Sequence, residues 1–327
     1  MGACERRRRR PGALVRPGAQ DLSRPWDAEI EVSAEAAGEL VDAAFPQLAP
    51  ARAALLGYGW DNAAFTVNGA YVFRFPRRAV AVELIQRETT VLPRIAPLLP
   101  VPIPVPCFAA EPSAAYPWPF AGYRRLAGTS LDAARPSVAQ RAALAVALAD
   151  FLRALHGGAV HDAAAALLPG DLIGRLDHHK RLPQARERLI DAAAAGALDD
   201  PAPFVAALER IAPHDAPQTA VVVHGDLYGR HLLVDDAGAL TGVIDWGDVL
   251  LGDPALDLAA ALLVLSAGAV ETFRARYGPI DAVTWNRATY RAIHHAALEL
   301  AYGLDRGDED LVDGALFALS QVREQLP

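Results

Sequence analysis

Two acids punctuate the stretch Val221–Leu258. Asp226 follows the apolar run Val221-Val222-Val223 after His224 and Gly225, and Asp245 follows Val243-Ile244 before Trp246 and Gly247. Carboxylates displayed at neighbouring strand ends suit phosphoryl transfer. One can meet the proton of an attacking hydroxyl while the other holds a metal ion against the phosphates. Taken singly, either acid could simply cap a turn; it is the repeated pattern that favours chemistry.

Asp226 is therefore the candidate proton acceptor. His224 has no second His or Cys at ligand spacing, so it is expected to orient this loop by hydrogen bonding rather than to bind metal. Asp245 is the candidate Mg²⁺ ligand, neutralising charge on the β- and γ-phosphates. A kinase-type loop carries Asn five residues after its Asp, whereas this chain has His231. Imidazole is a poorer partner than oxygen for hard Mg²⁺. Three roles stay open for His231: metal ligand, phosphate contact, or a substitution that weakens the second metal position. Asp248 is expected to support these groups. Asp257, which opens a very apolar helix, is expected to pin the loop by accepting its backbone N–H groups.

A second set of candidates lies upstream. Gly57-Tyr58-Gly59-Trp60-Asp61-Asn62 falls between two strands, where glycines let backbone N–H groups approach phosphate oxygens. Strand alternation in Tyr71-Val72-Phe73-Arg74 puts Val72 and Arg74 on one face. Arg74 stands where a kinase places the lysine of V-A-I-K, and its guanidinium can fork onto phosphate oxygens. Glu88 shares a helical stripe with Leu84, Val91 and Ile95. A carboxylate so placed faces inward and needs a partner, and Arg74 is the expected one. Tyr123, Arg124 and Leu126 lie in the connector against which a nucleotide base would rest.

The elements that must hold these residues follow from patterning. Residues 1–27 read as a basic, aperiodic tail. Ser33–Phe45 reads as a helix with Ser33 as N-cap, stopped by Pro46 and Pro50. Three short strands are expected across Ala54–Phe75, the last two joined at Asn68-Gly69, a strong hairpin signal. Val80–Ile95 reads as a helix, Val101–Phe108 as an edge strand or connector, and Phe120–Leu126 as extended. Downstream, helices are expected over Ser137–His156, Asp171–Ala195, Pro203–Ile211, Pro254–Leu265, Val270–Tyr277, Ala282–Gly303 and Asp310–Gln325. Short strands are expected at Thr219–Val223, Leu232–Val234 and Leu240–Ile244. The expected division is a tail (1–27), a small β-rich lobe (28–126) and a larger helical lobe (127–327).

Composition sets the outer limits. Over 327 residues the chain is 52% hydrophobic and 21% charged, which suits a globular protein with two lobes. Its net charge of −8 argues against nucleic acid as the main partner. Arg6–Arg10 reads as solvated tail. No apolar run is long enough to span a bilayer, and no secretory signal is evident. Cys4 and Cys107 are the only cysteines, and with Cys4 in the tail a disulfide is not expected, so a cytoplasmic setting fits. Lys180 is the only lysine, so none is available upstream to bind phosphates. Nothing in the pattern fixes an oligomeric state.

Together these residues resemble the aminoglycoside phosphotransferase and choline kinase-like family of small-molecule kinases. The resemblance runs from about Leu55 to the C-terminus. His224, Asp226, Asp245 and Asp248 meet its His-x-Asp and Ile-Asp-x-x-Asp patterns. Phe73–Arg77, Phe151–His156 and Asp253-Pro254-x-x-Asp257-Leu258 match its habits. It implies an α+β, bilobal, protein-kinase-like fold with nucleotide held between the lobes under Gly57–Asn62. It also implies Mg²⁺, ATP or GTP as phosphate donor, and a small-molecule hydroxyl as acceptor bound by the C-terminal helices. His231 in place of Asn, with Arg74, is similar to macrolide 2′-phosphotransferases, which implies a macrolide sugar hydroxyl and admits GTP. Glu299 and the acidic Asp305–Asp310 stretch would instead attract a polycationic aminoglycoside. The rival readings are a metabolic kinase for a choline-, fructosamine- or homoserine-like acceptor, and a nucleotide-binding protein without turnover.

Overall fold

A computed structural model describes residues 27–211 and 220–326. The expected tail with Arg6–Arg10 and Cys4, and the Thr219 start of one expected strand, lie outside the described residues. The described residues divide into two compact units: one takes in those up to Leu92 together with Pro104–Arg125, the other Pro93–Ile103 with those from Leu126 on.

The first unit is a five-stranded antiparallel sheet in the order β1-β2-β3-β5-β4, with β1 Ala53–Tyr58, β2 Asn62–Val67, β3 Tyr71–Pro76, β4 Pro106–Ala110 and β5 Phe120–Arg124. Strand β2 pairs with β3 from Val67↔Tyr71 to Asn62↔Pro76. Asn68 and Gly69 turn between them at φ 52° and 70°, the left-handed geometry that this dipeptide tolerates. Alternation along β3 splits the sheet into two faces. Phe73 and Phe75 join Phe65 and Phe120 in a core closed by Val41 and Leu40 of helix α1 (Ala34–Ala44). Ser33 caps α1 by accepting the Ala36 N–H at 3.1 Å. Val72 and Arg74 occupy the opposite face of β3. On that side Ile85 of helix α2 (Val80–Ile95) packs against Ala121 and Tyr123. Gly122 is required by contact: a Cβ there would stand 2.5 Å from ring atoms of Phe73.

The second unit is mainly helical. Its helices are α3 Leu131–Ala134, α4 Val138–Leu155, α5 Gly158–Ala164, α6 His178–Ala194, α7 Ala202–Arg210, α8 Ala255–Val264, α9 Ala267–Tyr277, α10 Ala282–Arg306 and α11 Glu309–Gln325. A Ser137/Gln140 capping box opens α4. Every residue of α8 is buried, and α10 packs along α8, α6 and α11. Two small sheets carry the loops of interest: β7 (Val221–Val223) pairs with β10 (Leu250–Gly252), and β8 (Leu232–Val234) lies between β6 (Thr129–Ser130) and β9 (Leu240–Val243). No single described helix is long and apolar enough to cross a membrane.

The structure corrects several sequence expectations. The expected helix Asp171–Ala195 begins only at His178. Gly174 turns at φ 62°, and Asp177 caps the true start by accepting the Lys180 N–H at 3.3 Å. The extended segment expected to reach Leu126 ends at Arg124. Strand β10 and helices α3 and α5 were not foreseen, because each is too short to show a period.

Replacing Gly122 with Ala is expected to destabilise the first unit by about 1–3 kcal/mol, since the Phe73 ring has no room to yield. That corresponds to roughly 4–8 °C in Tm per kcal/mol for a unit of this size. A melting curve unchanged from the parent protein would show that the ring can move aside.

Candidate active site

The loop after β7 is built on one buried carboxylate. Asp257, in the first turn of α8, accepts the backbone N–H of His224 at 2.7 Å and of Gly225 at 2.9 Å. His156, at the end of α4, lies 3.3 Å from the same carboxylate through Nε2, and its Nδ1 is 2.8 Å from the Tyr277 hydroxyl. Burial works to raise the Asp257 pKa, but hydrogen bonding and charge from His156, with the Gly225 N–H, outweigh it and hold it below the usual carboxylate range. The His224 ring is fully buried. Its Nε2 bonds the Ile244 carbonyl at 3.0 Å, and its Nδ1 accepts the Asp226 N–H at 3.3 Å, which fixes the Nε2-protonated tautomer. Burial lowers its pKa, so the ring is neutral. Gly225 sits at φ 84°, and a Cβ there would meet the Asp248 carbonyl oxygen at 2.6 Å.

This loop presents Asp226, whose side chain retains 30% of its exposure. Burial raises its carboxyl pKa, the Asp248 charge adds to the rise, and Arg291 opposes it. The loop after β9 presents Asp245 at φ 62°, a strained conformation for a non-glycine residue. His231 links the two acids. Its Nδ1 donates to the Asp226 carbonyl oxygen at 2.7 Å, and its Nε2 lies 3.4 Å from Asp245 Oδ2. Asp245 and His231 thus form a two-donor set. It suits an ion that takes its remaining ligands from phosphates and water, as Mg²⁺ does. Among the described residues no group of three or more His, Cys, Asp or Glu side chains forms a metal cage.

Asp248 is anchored by Arg175, whose other nitrogen bonds Asp171 at 2.8 Å. Sequence reading missed Arg175, Asp171, Arg291 and His295, and placed Glu299 only on an acidic face. The one available signal was the four-residue spacing of Arg291, His295 and Glu299 on α10. On a helix with many polar residues, that spacing does not reveal which stripe is buried.

In the first unit Arg74 Nη1 lies 2.5 Å from Glu88 Oε1, and the Tyr123 hydroxyl donates to Glu88 Oε2 at 3.2 Å. Glu88 is 1% exposed, so the inward acid does find the basic partner expected for it. Tyr123 is buried, so its ring is part of the core, while Arg124 is exposed and its guanidinium lies 5.9 Å from the Tyr71 ring centroid. Leu126 belongs to the second unit and packs over Gly242. A Cβ at Gly57 would meet no atom within 4 Å, while the Gly59 N–H is taken by the Asn62 carbonyl at 2.9 Å. Asn62 is buried, and its side-chain oxygen has no hydrogen-bond partner among the described residues.

Comparison with known proteins matches residues 52–293 to the model of the APH group, described as the phosphotransferase enzyme family. Viomycin phosphotransferase of Streptomyces vinaceus is 49% identical over 59 residues, which is 17% of this chain and 19% of that protein. The chain therefore aligns with about a fifth of that relative's length. Among solved structures, the GDP complex of wild-type aminoglycoside 2′-phosphotransferase-IIIa superposes with a TM-score of 0.63 at 24% identity, covering 90% of this chain and 99% of that one. Macrolide 2′-phosphotransferase type I superposes with a TM-score of 0.52 at 23% identity, covering 90% and 98%. Both share the bilobal kinase-like fold.

Because the folded pKa of Asp257 is depressed, its contribution to stability is complete above the unfolded carboxylate value of about 3.9. It is lost as pH falls through the lower folded value. Asp257→Asn places an amide against backbone N–H groups. It is expected to cost about 3–5 kcal/mol at neutral pH and to flatten the acid side of the stability curve. Thermal melts between neutral and acid pH test this; parallel curves for the two proteins would refute it.

Proposed function

The chain belongs to the phosphotransferase enzyme family, and on that premise we propose that it transfers the γ-phosphoryl group of ATP or GTP to a hydroxyl of a small molecule. The proposed acceptor is an antibiotic of the aminoglycoside, macrolide or viomycin type. The observation that carries this reading is the pairing of Asp226 and Asp245 through His231, with His231 2.7 Å from the Asp226 carbonyl oxygen and 3.4 Å from the Asp245 carboxylate. An acid that accepts a proton and an acid that holds a cation are thereby fixed relative to each other.

In the proposed reaction Asp226 takes the proton of the acceptor hydroxyl as its oxygen bonds to the γ-phosphorus. The bond from that phosphorus to the bridging oxygen breaks, and the nucleoside diphosphate leaves with the electron pair. Asp245 and His231 would hold Mg²⁺, which would supply positive charge to the phosphate oxygens. Arg74, aligned by Glu88, forks onto phosphate oxygens in place of a lysine. His224 and Asp257 keep Asp226 in position through the loop backbone, and Asp248 is steadied by Arg175. Val72, Gly57, Gly59 and Asn62, with the backbone of Tyr123 and Arg124 and the side chain of Leu126, make up the proposed nucleotide contacts. ATP, GTP and Mg²⁺ place the proposed reaction in the cytoplasm.

The test is a drug-susceptibility profile of a host expressing the chain, beside the same host with Asp226→Asn. Protection against viomycin, kanamycin or a macrolide is expected from the parent protein and not from the variant. With purified proteins, the variant's kcat is expected to fall by about 10²- to 10⁴-fold with nucleotide affinity retained. No protection in either host, with turnover on a choline- or sugar-like metabolite, would move the acceptor to metabolism. Undiminished turnover by the variant would remove Asp226 from the chemistry altogether.

A further inference from the structure

Helix α10 carries Arg291, His295 and Glu299 at four-residue intervals, and all three are buried. Arg291 Nη2 lies 3.4 Å from the Gly225 carbonyl oxygen and 3.5 Å from Asp226 Oδ1. His295 Nδ1 is 3.8 Å from the same Oδ1, and its Nε2 is 2.7 Å from Glu299 Oε1, out of line for a hydrogen bond. The other carboxylate oxygen of Asp226, Oδ2, has His231 Nδ1 at 3.9 Å, but the proton on that nitrogen is directed to the Asp226 carbonyl. The two oxygens of Asp226 are therefore unequal: Oδ1 faces a fixed cation on α10, and Oδ2 has only the His231 ring at 3.9 Å among these groups.

The neighbouring groups leave this work to Arg291. Arg175 is engaged by Asp171 and Asp248. Asp248 is itself negative. His224 is neutral and its two nitrogens are committed to Ile244 and to the Asp226 N–H. Burial and the Arg291 charge lower His295 to about 3, so this ring offers no full charge at neutral pH. Arg291 thus supplies the standing positive charge beside Asp226. Burying a guanidinium is costly unless it has partners, and here the partners are two consecutive residues of the candidate catalytic loop.

We propose that Arg291 is a positioning residue for phosphoryl transfer: by holding Asp226 Oδ1 and the Gly225 carbonyl together, it presents Asp226 Oδ2 as the atom that takes the acceptor's proton. The proposal rests on the reading of Asp226 as the proton acceptor. The torsion that turns a carboxylate about its last bond is soft and roughly two-fold, so without an anchor the two oxygens exchange places and reactive alignment is populated less often. Arg291 reaches both groups through one nitrogen, Nη2, held at the end of a rigid planar fork, whereas an ammonium is a point charge on a flexible stem.

Water is an acceptor in every preparation, so the test reads MgATP and MgGTP turnover with water alone and with viomycin. Arg291→Gln is expected to lower kcat by about 10- to 100-fold while the nucleotide KM stays within about twofold. Arg291→Lys is expected to recover most of that loss, ending about two- to tenfold below the parent protein. In an Asp226→Asn background, Arg291→Gln should have no further effect, because both changes act through one group. An additive loss in that background, an undiminished kcat for Arg291→Gln, or a raised nucleotide KM at constant kcat would each overturn the proposal. If Arg291→Gln fails to melt cooperatively, Arg291→Lys decides: an undiminished kcat or a raised KM refutes it. Asp226→Asn alone at full turnover would instead sink the proton-acceptor reading. A parent protein that turns over neither nucleotide would count against phosphotransfer and the Arg291 role together.

Discussion

The carboxylate of Asp257, with no solvent exposure, receives the N–H groups of His224 and Gly225 and is braced from behind by His156. A buried charge of this kind is tolerated only when it is paired and hydrogen-bonded, and here the loop backbone is among its partners. Satisfying Asp257 therefore sets the path of the chain as it leaves β7. That path in turn requires φ 84° at Gly225, places its Cα against the Asp248 carbonyl, and turns Asp226 outward. The fully buried helix α8 supplies the rigid base, since Asp257 sits in its first turn.

The same constraint recurs with the charges reversed. Arg291 is buried on α10 and meets Asp226 and Gly225. Arg175 is buried and meets Asp171 and Asp248. In the first unit Glu88 is buried on α2 and meets Arg74 and Tyr123. Buried ion pairs add little net stability over apolar packing, but losing one partner is severe. Such pairs therefore act as geometric constraints: each fixes the angle of one side chain against its partner. His231 is a softer version of this device. A single imidazole spans from the backbone of one acid loop to the carboxylate of the other, in a position where an asparagine could offer only its short amide.

Much of this was legible in the chain because the signals are local. The N-G turn, the Ser33 cap, the Ser137 helix start and the alternation in β3 all act within a few residues, and the elements formed where those signals lie. The inward stripe of Glu88 with Val91 and Ile95 announced an acid in need of a base, and Arg74 was the basic residue on the facing strand. The segment 171–177 misled for a local reason as well. Its composition suits a helix, but Gly174 adopts a left-handed turn and Asp171 folds back onto Arg175, contacts that no helical period records.

By itself the sequence determined the pattern of candidate residues: which acids end which strands, which loop carries histidine in place of asparagine, and which strand carries arginine in place of lysine. Those features depend on residue type and on spacing along the chain. What only the tertiary structure decided is how the acids are held. Arg291 stands 65 residues beyond Asp226 in the chain numbering, and Arg175 stands 73 before Asp248. Their pairing depends on α10 and the loop before α6 packing around the same strand ends. That arrangement comes from long-range burial of apolar surface and from the requirement that every buried charge find its partner, and neither leaves a periodic mark in the sequence.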